Sequence, residues 1–215
     1  MNSPWVRALA WLELMLVDHG FLRPFYNRPE AILPGVYRSN HPSPRAVKAL
    51  AARGVRTIIS LRGKGHNGPF LLEQEACALH GIDLQVVRLK SRRPPTQEQI
   101  HRLKAVFDQA ESPMLMHCKS GADRSGLAAA LYLLIYKGDI AAARAQFSLR
   151  YLHVRQSRTG VLDAFVEAYA QYAAINKDAD FMQWVDEHYD PEQLKRSFKP
   201  KGWANWLVDG ILRRE

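Results

Sequence analysis

The sequence predicts an α/β protein with a mostly parallel central sheet flanked by helices and a helical carboxy-terminal half. Three observations carry that prediction. Short apolar or β-branched runs, GVYRS, VRTIISL, IDLQVVRL and PMLMH, alternate with helix-length segments. Glycine and proline punctuate the junctions between them. Beyond residue 125 the breakers thin out and helical spacing fills most of the chain. At 215 residues, 47% hydrophobic and 24% charged, the chain has the composition of a globular protein with one substantial core.

Taken in order, residues 5–17 have helical spacing, and GFLRPFYNRPEAILPG reads as a proline-punctuated connection. The first strand is expected at 35–39. HPSP then offers turn chemistry before a helix over 44–53, which Gly54 closes. VRTIISL (55–61) is a buried strand followed by the glycine-rich, basic loop RGKGHNGP. A helix over 70–80 stops at Gly81, and a strand at 82–89 leads into the polar loop KSRRPP. Thr96 is placed to cap a helix running to Ala110. PMLMH (113–117) is a short strand that ends directly at Cys118, and GLAAALYLLIYK after Ser125 is a strongly apolar helix. Helical patterns fill 139–189, with loops near 157–160 and 176–178; there is no internal repeat or low-complexity segment.

Thirty basic residues against twenty-one acidic ones give a formal charge of +9, which calls for an anionic partner. The basic clusters lack interleaved aromatics, so no nucleic acid is expected; a phosphorylated substrate or an anionic membrane surface remains. Cys77 and Cys118 sit in unlike surroundings, which argues against a disulfide framework and suits a reducing compartment. The stretch VRALAWLELMLVDHGFL carries Arg7, Glu13 and Asp18 and is a poor membrane span, and no segment reads as a secretory signal. A cytoplasmic location follows, with peripheral membrane association as its variant.

The chemistry concentrates in HCKSGADRSG, residues 117–126. A strand, a short glycine-bearing loop and a helix in that order make an anion site, because loop amides converge and the helix dipole adds positive potential. Arg124, six positions after Cys118, offers a planar fork of donors to two phosphate oxygens. The same field lowers the pKa of a thiol at Cys118. The alternative for Cys118 is a small buried residue at a strand end, and Cys77 on its apolar helix reads that way.

Cys-x5-Arg preceded by His and followed by Ser is similar to the signature loop of the cysteine-dependent protein tyrosine and dual-specificity phosphatase superfamily. GVYRSNHP, GVRTIISLRG and GIDLQVVRL resemble the ordered strands of its compact atypical members, so that the resemblance covers roughly residues 30–170. It implies a phosphatase domain at 31–175 between an amino-terminal helix and connection (1–30) and a helical extension (176–215). It implies further that Cys118 is the nucleophile, that Arg124 binds phosphate, and that His117 orients the loop and favours the thiolate. Ser125 would hydrogen-bond the sulfur, and the amides of Lys119, Ser120, Gly121 and Ala122 would bind the phosphoryl oxygens. The scheme requires no metal and no other cofactor. The usual acidic loop is replaced by KSRRPP, which has no carboxylate. Asp123 resembles the aspartate in the Cys-x4-Asp-Arg loops of myotubularin-type phosphatases; it is either the general acid or half of an ion pair with arginine that shapes the loop. Asp83 is the weaker alternative.

Other basic residues carry two readings each. Arg38 and Arg62 either hold loops near the phosphate site or form ordinary salt bridges. Lys119 either faces a second acidic group of the substrate or is solvated. KSRR (90–93) is a rim for an anionic substrate or a solvated loop. Arg150, His153, Arg155 and Arg158 form a wall contacting a polyanion or the basic face of a helix, with Gln156 positioned for water. The five tryptophans, at 5, 11, 184, 203 and 206, all lie outside the expected catalytic core. Their terminal segments either pack on the domain or lie in a membrane interface, and the second case favours a phosphorylated lipid or glycolipid over a phosphoprotein.

Overall fold

The computed structural model describes residues 3–200. They form two compact units, one running to Arg88 and resuming over Gln109–Gly121, the other made of Leu89–Asp108 and the chain from Ala122 onward. The first unit opens with α1 (Pro4–Leu12), which runs into a π-helical turn (Glu13–Val17) and a 3-10 helix (Gly20–Phe25). There follow β1 (Glu30–Leu33), β2 (Val36–Ser39), α2 (Pro44–Ala52), β3 (Thr57–Ser60), α3 (Gly68–Leu79), β4 (Asp83–Val86) and β5 (Met114–His117).

The sheet has the order β1-β2-β5-β3-β4; β1 pairs antiparallel with β2 and every other pairing is parallel. β1 lies where the sequence reads as a connection. Three of its residues are half-exposed and Ala31 is exposed, so it carries no buried run, and Gly35, at φ +77°, marks the turn into β2. β3 and β5 are buried at every position, which is why TIIS and MLMH do not alternate. Val47, Leu50, Val55, Ile58, Ala76, Cys77, Ile82 and Leu115 form the core that packs α2 and α3 on the sheet. Helix starts follow the caps: Ser43 accepts from Ala46 N and Asn67 from Phe70 N. His117 at the end of β5 is in register with Ser39 of β2 and Ser60 of β3. The loops that follow these three strands therefore leave from one carboxyl edge, the edge at which α/β sheets bind ligands.

The second unit is all helical: α4 (Gln97–Gln109), α5 (Asp123–Lys137), α6 (Ile140–Ala145), α7 (Val161–Ile175), α8 (Phe181–Glu187) and α9 (Pro191–Ser197). Thr96 caps α4 reciprocally, its hydroxyl accepting from Gln99 N while Gln99 Oε1 accepts from Thr96 N. α5 is buried along most of its circumference, as a helix apolar on all sides must be. Trp184 is 4% exposed, among Phe165, Tyr169, Phe181 and Tyr189, so it is a core residue and not an interfacial one. Trp203 and Trp206 lie outside the described residues. Among the described residues no helix is long and apolar enough to cross a membrane.

Candidate active site

β5 ends at His117 and α5 begins at Asp123, so residues 118–122 make the whole connection. Its first half belongs to the sheet unit. Cys118 is 1% exposed, and Gly121 N–H donates to its Sγ at 3.3 Å. Three successive carbonyls of the loop are tied to the surrounding scaffold. His41 N–H donates to Lys119 O (3.3 Å), Asn27 Nδ2 to Ser120 O (2.8 Å) and Arg38 Nη2 to Gly121 O (2.8 Å). Carbonyls held outward leave the amides to face the opposite way, and the Gly121 contact with sulfur is one such amide. A donor on the sulfur favours its thiolate form.

Gly121 has to be glycine. Its φ is +75°, and a Cβ there would stand 2.6 Å from Asn40 N and 2.8 Å from Asn27 Cβ. Asn40 in turn donates to the carbonyls of Arg23 and Tyr26, which fixes the segment that carries Asn27.

Behind the loop lie two buried groups of charges. His117 Nε2 is 2.6 Å from Glu73 Oε1, a close contact without hydrogen-bond alignment, and His41 Nδ1 is 3.9 Å from Glu73 Oε2. His41 is held neutral: burial pushes its pKa well below the usual histidine value, and His117, Arg62 and Arg23 push the same way. Asp18 binds Arg62 through both oxygens, at 2.6 and 2.9 Å, and pairs with Arg23, while Lys119 Nζ lies 3.6 Å away. Burial opposes the charge on Asp18, but Arg62 and Arg23 outweigh it and hold the carboxyl below the ordinary carboxylate range. Burial likewise lowers the Lys119 pKa, Asp18 partly restores it, and Arg62 and Arg23 lower it again. Lys119 is thus partly engaged within the protein.

His41, Glu73 and His117 also bring three metal-ligating atoms within 4.8 Å of one another. Arg62 Nη1 stands 3.3 Å from His41 Nδ1, and a fixed guanidinium there works against a second cation.

The second half of the connection belongs to the helical unit. Ala122 precedes α5, Asp123 is its first residue, Arg124 is half-buried and Ser125 is fully buried. Asp123 Oδ1 accepts from His153 Nδ1 at 2.7 Å, and Asp163 Oδ2 accepts from His153 Nε2 at 2.6 Å. Only an imidazolium donates from both nitrogens. Burial disfavours that cation, yet the bonds to Asp123 and Asp163 outweigh it and raise the His153 pKa.

His153 is therefore a core residue, and the basic run around it is not a helix. Leu149–Tyr151 and Arg158–Gly160 are single 3-10 turns, and Leu152 between them sits at φ +64°. Drawing His153 inward between two carboxylates breaks the helical register. Arg150 lies over the Tyr151 ring, Arg155 lies 3.8 Å from Asp163, and Gln156 is exposed. Cys77 is as buried as Cys118 but sits in the hydrophobic core, where burial, with Glu73 and Asp83 nearby, pushes its thiol up to about 12. Asp83 is exposed at the start of β4 and accepts from Gln85.

Glu73, Asp18 and Asp163 have no counterpart among the sites that the sequence alone suggests. Glu73 alone leaves a trace there, since Leu72, Glu73, Ala76 and Cys77 fall on one buried stripe of α3 and put a charge among apolar residues.

The family described as DSP-PTPase phosphatase fused to NAD+ kinase matches residues 30–167. The dual specificity protein phosphatase TpbA of Pseudomonas aeruginosa is 29% identical over 110 residues, which are 49% of this chain and 45% of that protein. The chain thus spans about half the length of the curated relative. The crystal structure of P. aeruginosa TpbA superposes with a TM-score of 0.51 at 20% identity, over 80% of this chain and 90% of that one. The core catalytic domain of the PP-IP phosphatase SIW14 of S. cerevisiae gives 0.52 at 16%, over 71% and 95%. At such identities these two superpositions speak for the fold alone, and they agree with the five-stranded, mostly parallel sheet.

Proposed function

Since the chain belongs to the family described as DSP-PTPase phosphatase fused to NAD+ kinase, we propose that it hydrolyses a phosphomonoester through a phosphocysteine on Cys118, with an anionic lipid or glycolipid head group as substrate. The observation that supports this most is the loop itself: Gly121 N–H on the Cys118 sulfur, with the carbonyls of residues 119–121 all tied outward.

The thiolate of Cys118 attacks phosphorus in line with the ester oxygen, so that an S–P bond forms as the P–O bond breaks. The amides of Lys119, Ser120, Gly121 and Ala122 and the guanidinium of Arg124 hold the equatorial oxygens, where charge accumulates in the transition state. Ser125 hydrogen-bonds the sulfur as water displaces it from phosphorus, and His117, backed by Glu73, orients the start of the loop. Asp123 has two roles to choose between. Its buried bond to a doubly donating His153 favours a carboxylate that fixes the start of α5 over an acid that gives up a proton. The leaving oxygen then draws its proton from water, and reactivity depends steeply on the leaving group.

The head-group preference rests on the +9 charge and on the basic KSRR rim. A dual-specificity protein phosphatase is the second reading, favoured by the name of the relative in P. aeruginosa. The missing carboxylate in KSRRPP favours a third, a catalytically weak phosphate-binding module. Two free, buried cysteines suit a reducing compartment, consistent with a cytoplasmic enzyme.

The test is turnover of p-nitrophenyl phosphate, blocked by vanadate, surviving a chelator, and reduced on the order of a thousandfold or more in Cys118→Ser. No turnover by the intact chain returns the protein to the binding-module reading. A phosphate-release panel of phosphoinositides, phosphorylated glycolipids and phosphotyrosine peptides then separates the first two readings.

A further inference from the structure

Nine of the thirteen large apolar side chains exposed among the described residues fall between positions 5 and 25. Trp5 (81%), Leu9 (65%), Leu12 (55%), Leu16 (62%), Phe21 (52%) and Phe25 (83%) are the most telling. They are not the mark of a loosely held segment. The inner face of the same helix packs through Ala10 and Leu14 on Leu72. α1 crosses the start of α3 so closely that a Cβ on Gly68 would stand 2.5 Å from Ala10 Cα, and Glu13 Oε2 accepts from Gly68 N at 2.7 Å. A firmly seated helix with an apolar outer face lacks a partner on that face.

The charges of this segment say what the partner is. Its two acids point inward, Glu13 to the Gly68 amide and Asp18 to Arg23 and Arg62. The charged side chains left exposed over residues 3–28 are Arg7, which pairs with Glu75 of α3, and Arg28. A cavity of about 410 Å³ lies between the segment and α2, lined by Leu14, Met15, Pro24 and Ala49, with Arg28 and Arg45 also on its wall. Aromatic and aliphatic side chains edged by cations, with the acids turned in, fit the boundary between acyl chains and anionic head groups.

The segment is also wired to the signature loop. Asn27 holds Ser120 O, Asp18 faces Lys119, and Asn27 O accepts from Asn40 N at 2.7 Å. We propose that the outer face of residues 5–25 docks on an anionic lipid bilayer and presents the Cys118 loop to phosphorylated head groups. The proposal rests on the head-group reading above.

The experiment uses the full chain with vesicles of phosphatidylcholine alone and with roughly a third phosphatidylglycerol. Co-sedimentation with the anionic vesicles is expected, weakened by salt, and reduced about tenfold or more in the Leu9→Ser/Leu16→Ser/Phe25→Ser variant and severalfold in Arg28→Glu. Turnover of p-nitrophenyl phosphate in solution stays unchanged in both variants, which shows that they fold. Absence of binding to anionic vesicles, or binding that the variants leave intact, overturns the docking proposal. So does a concentration-dependent dimer that the triple variant dissolves while vesicles go unbound, since the face then belongs to a second copy. Docking without release of phosphate from any lipid supports the surface and sinks the head-group substrate; turnover without docking does the reverse.

Discussion

Two buried histidine clusters underlie the two halves of the signature connection, and they are built on opposite charge ratios. Behind Cys118, two histidines, His41 and His117, share one carboxylate, Glu73, with Arg62 close by. Behind Asp123, one histidine, His153, is shared by two carboxylates. Burial acts against the cation in both, yet His41 falls well below the ordinary histidine pKa and His153 rises above it. Burial alone takes the proton from His41, and only the two carboxylates around His153 are enough to outweigh the same penalty there. The loop thus begins next to a proton-poor group and ends next to a fixed imidazolium.

Removing the shared cation breaks this contrast most severely. His153→Ala takes from Asp123 and Asp163 the buried cation they share, leaving Asp163 with the exposed Arg155 alone at 3.8 Å, and costs about 3–5 kcal/mol, read by urea denaturation. A loss under about 1 kcal/mol would mean that solvent already reaches the carboxylates.

Asp123→Asn is milder, because the side chain keeps its shape and loses the charge-assisted bond to His153, worth about 1.5–3 kcal/mol. The variant sharpens the catalytic side of the comparison. If the carboxylate positions the start of α5, phenyl phosphate and p-nitrophenyl phosphate slow by the same factor in kcat/KM. Selective slowing of the phenyl ester would restore Asp123 as the general acid.

The smallest effect is the pH dependence of stability, where the two histidines have opposite signs. His153, with a raised folded pKa, contributes fully below its unfolded value near 6.5 and loses that contribution as pH climbs through the folded value. His41, with a depressed folded pKa, contributes nothing unfavourable above 6.5 and costs stability as pH falls from there toward its folded value. Tm measured from pH 5 to about 9 is expected to peak near neutrality. His153→Gln removes the alkaline decline and His41→Gln the acid one; a swapped assignment of the two limbs would reverse the charge counting.

The strands were legible from the sequence because each is a local apolar run, and so were α4 with its Thr96 cap and the Cys-x5-Arg loop. β1 was not, since EAIL is a half-exposed edge whose pairing depends on a turn at Gly35. Nor was the role of His153. Its partners lie 30 and 10 positions away, and within SLRYLHVRQSRTG it looks like one more solvated cation. Local periodicity reports which face of a segment is apolar; it carries no record of the distant carboxylate that makes a buried charge tolerable. Asp18 escaped for the same reason, its partner Arg62 being 44 positions along the chain.

The strand that leads into Cys118 also has a kinetic meaning. β5 is the central strand, hydrogen-bonded along both edges, with Leu115 and Met116 wholly buried. Backbone amides in such a place exchange with solvent only when the whole sheet comes apart, whereas edge strands and surface segments breathe far more often. Cys118 is attached to the slowest-exchanging part of the sheet, so fraying at the amino-terminal helix or at β1 leaves the base of its loop in place.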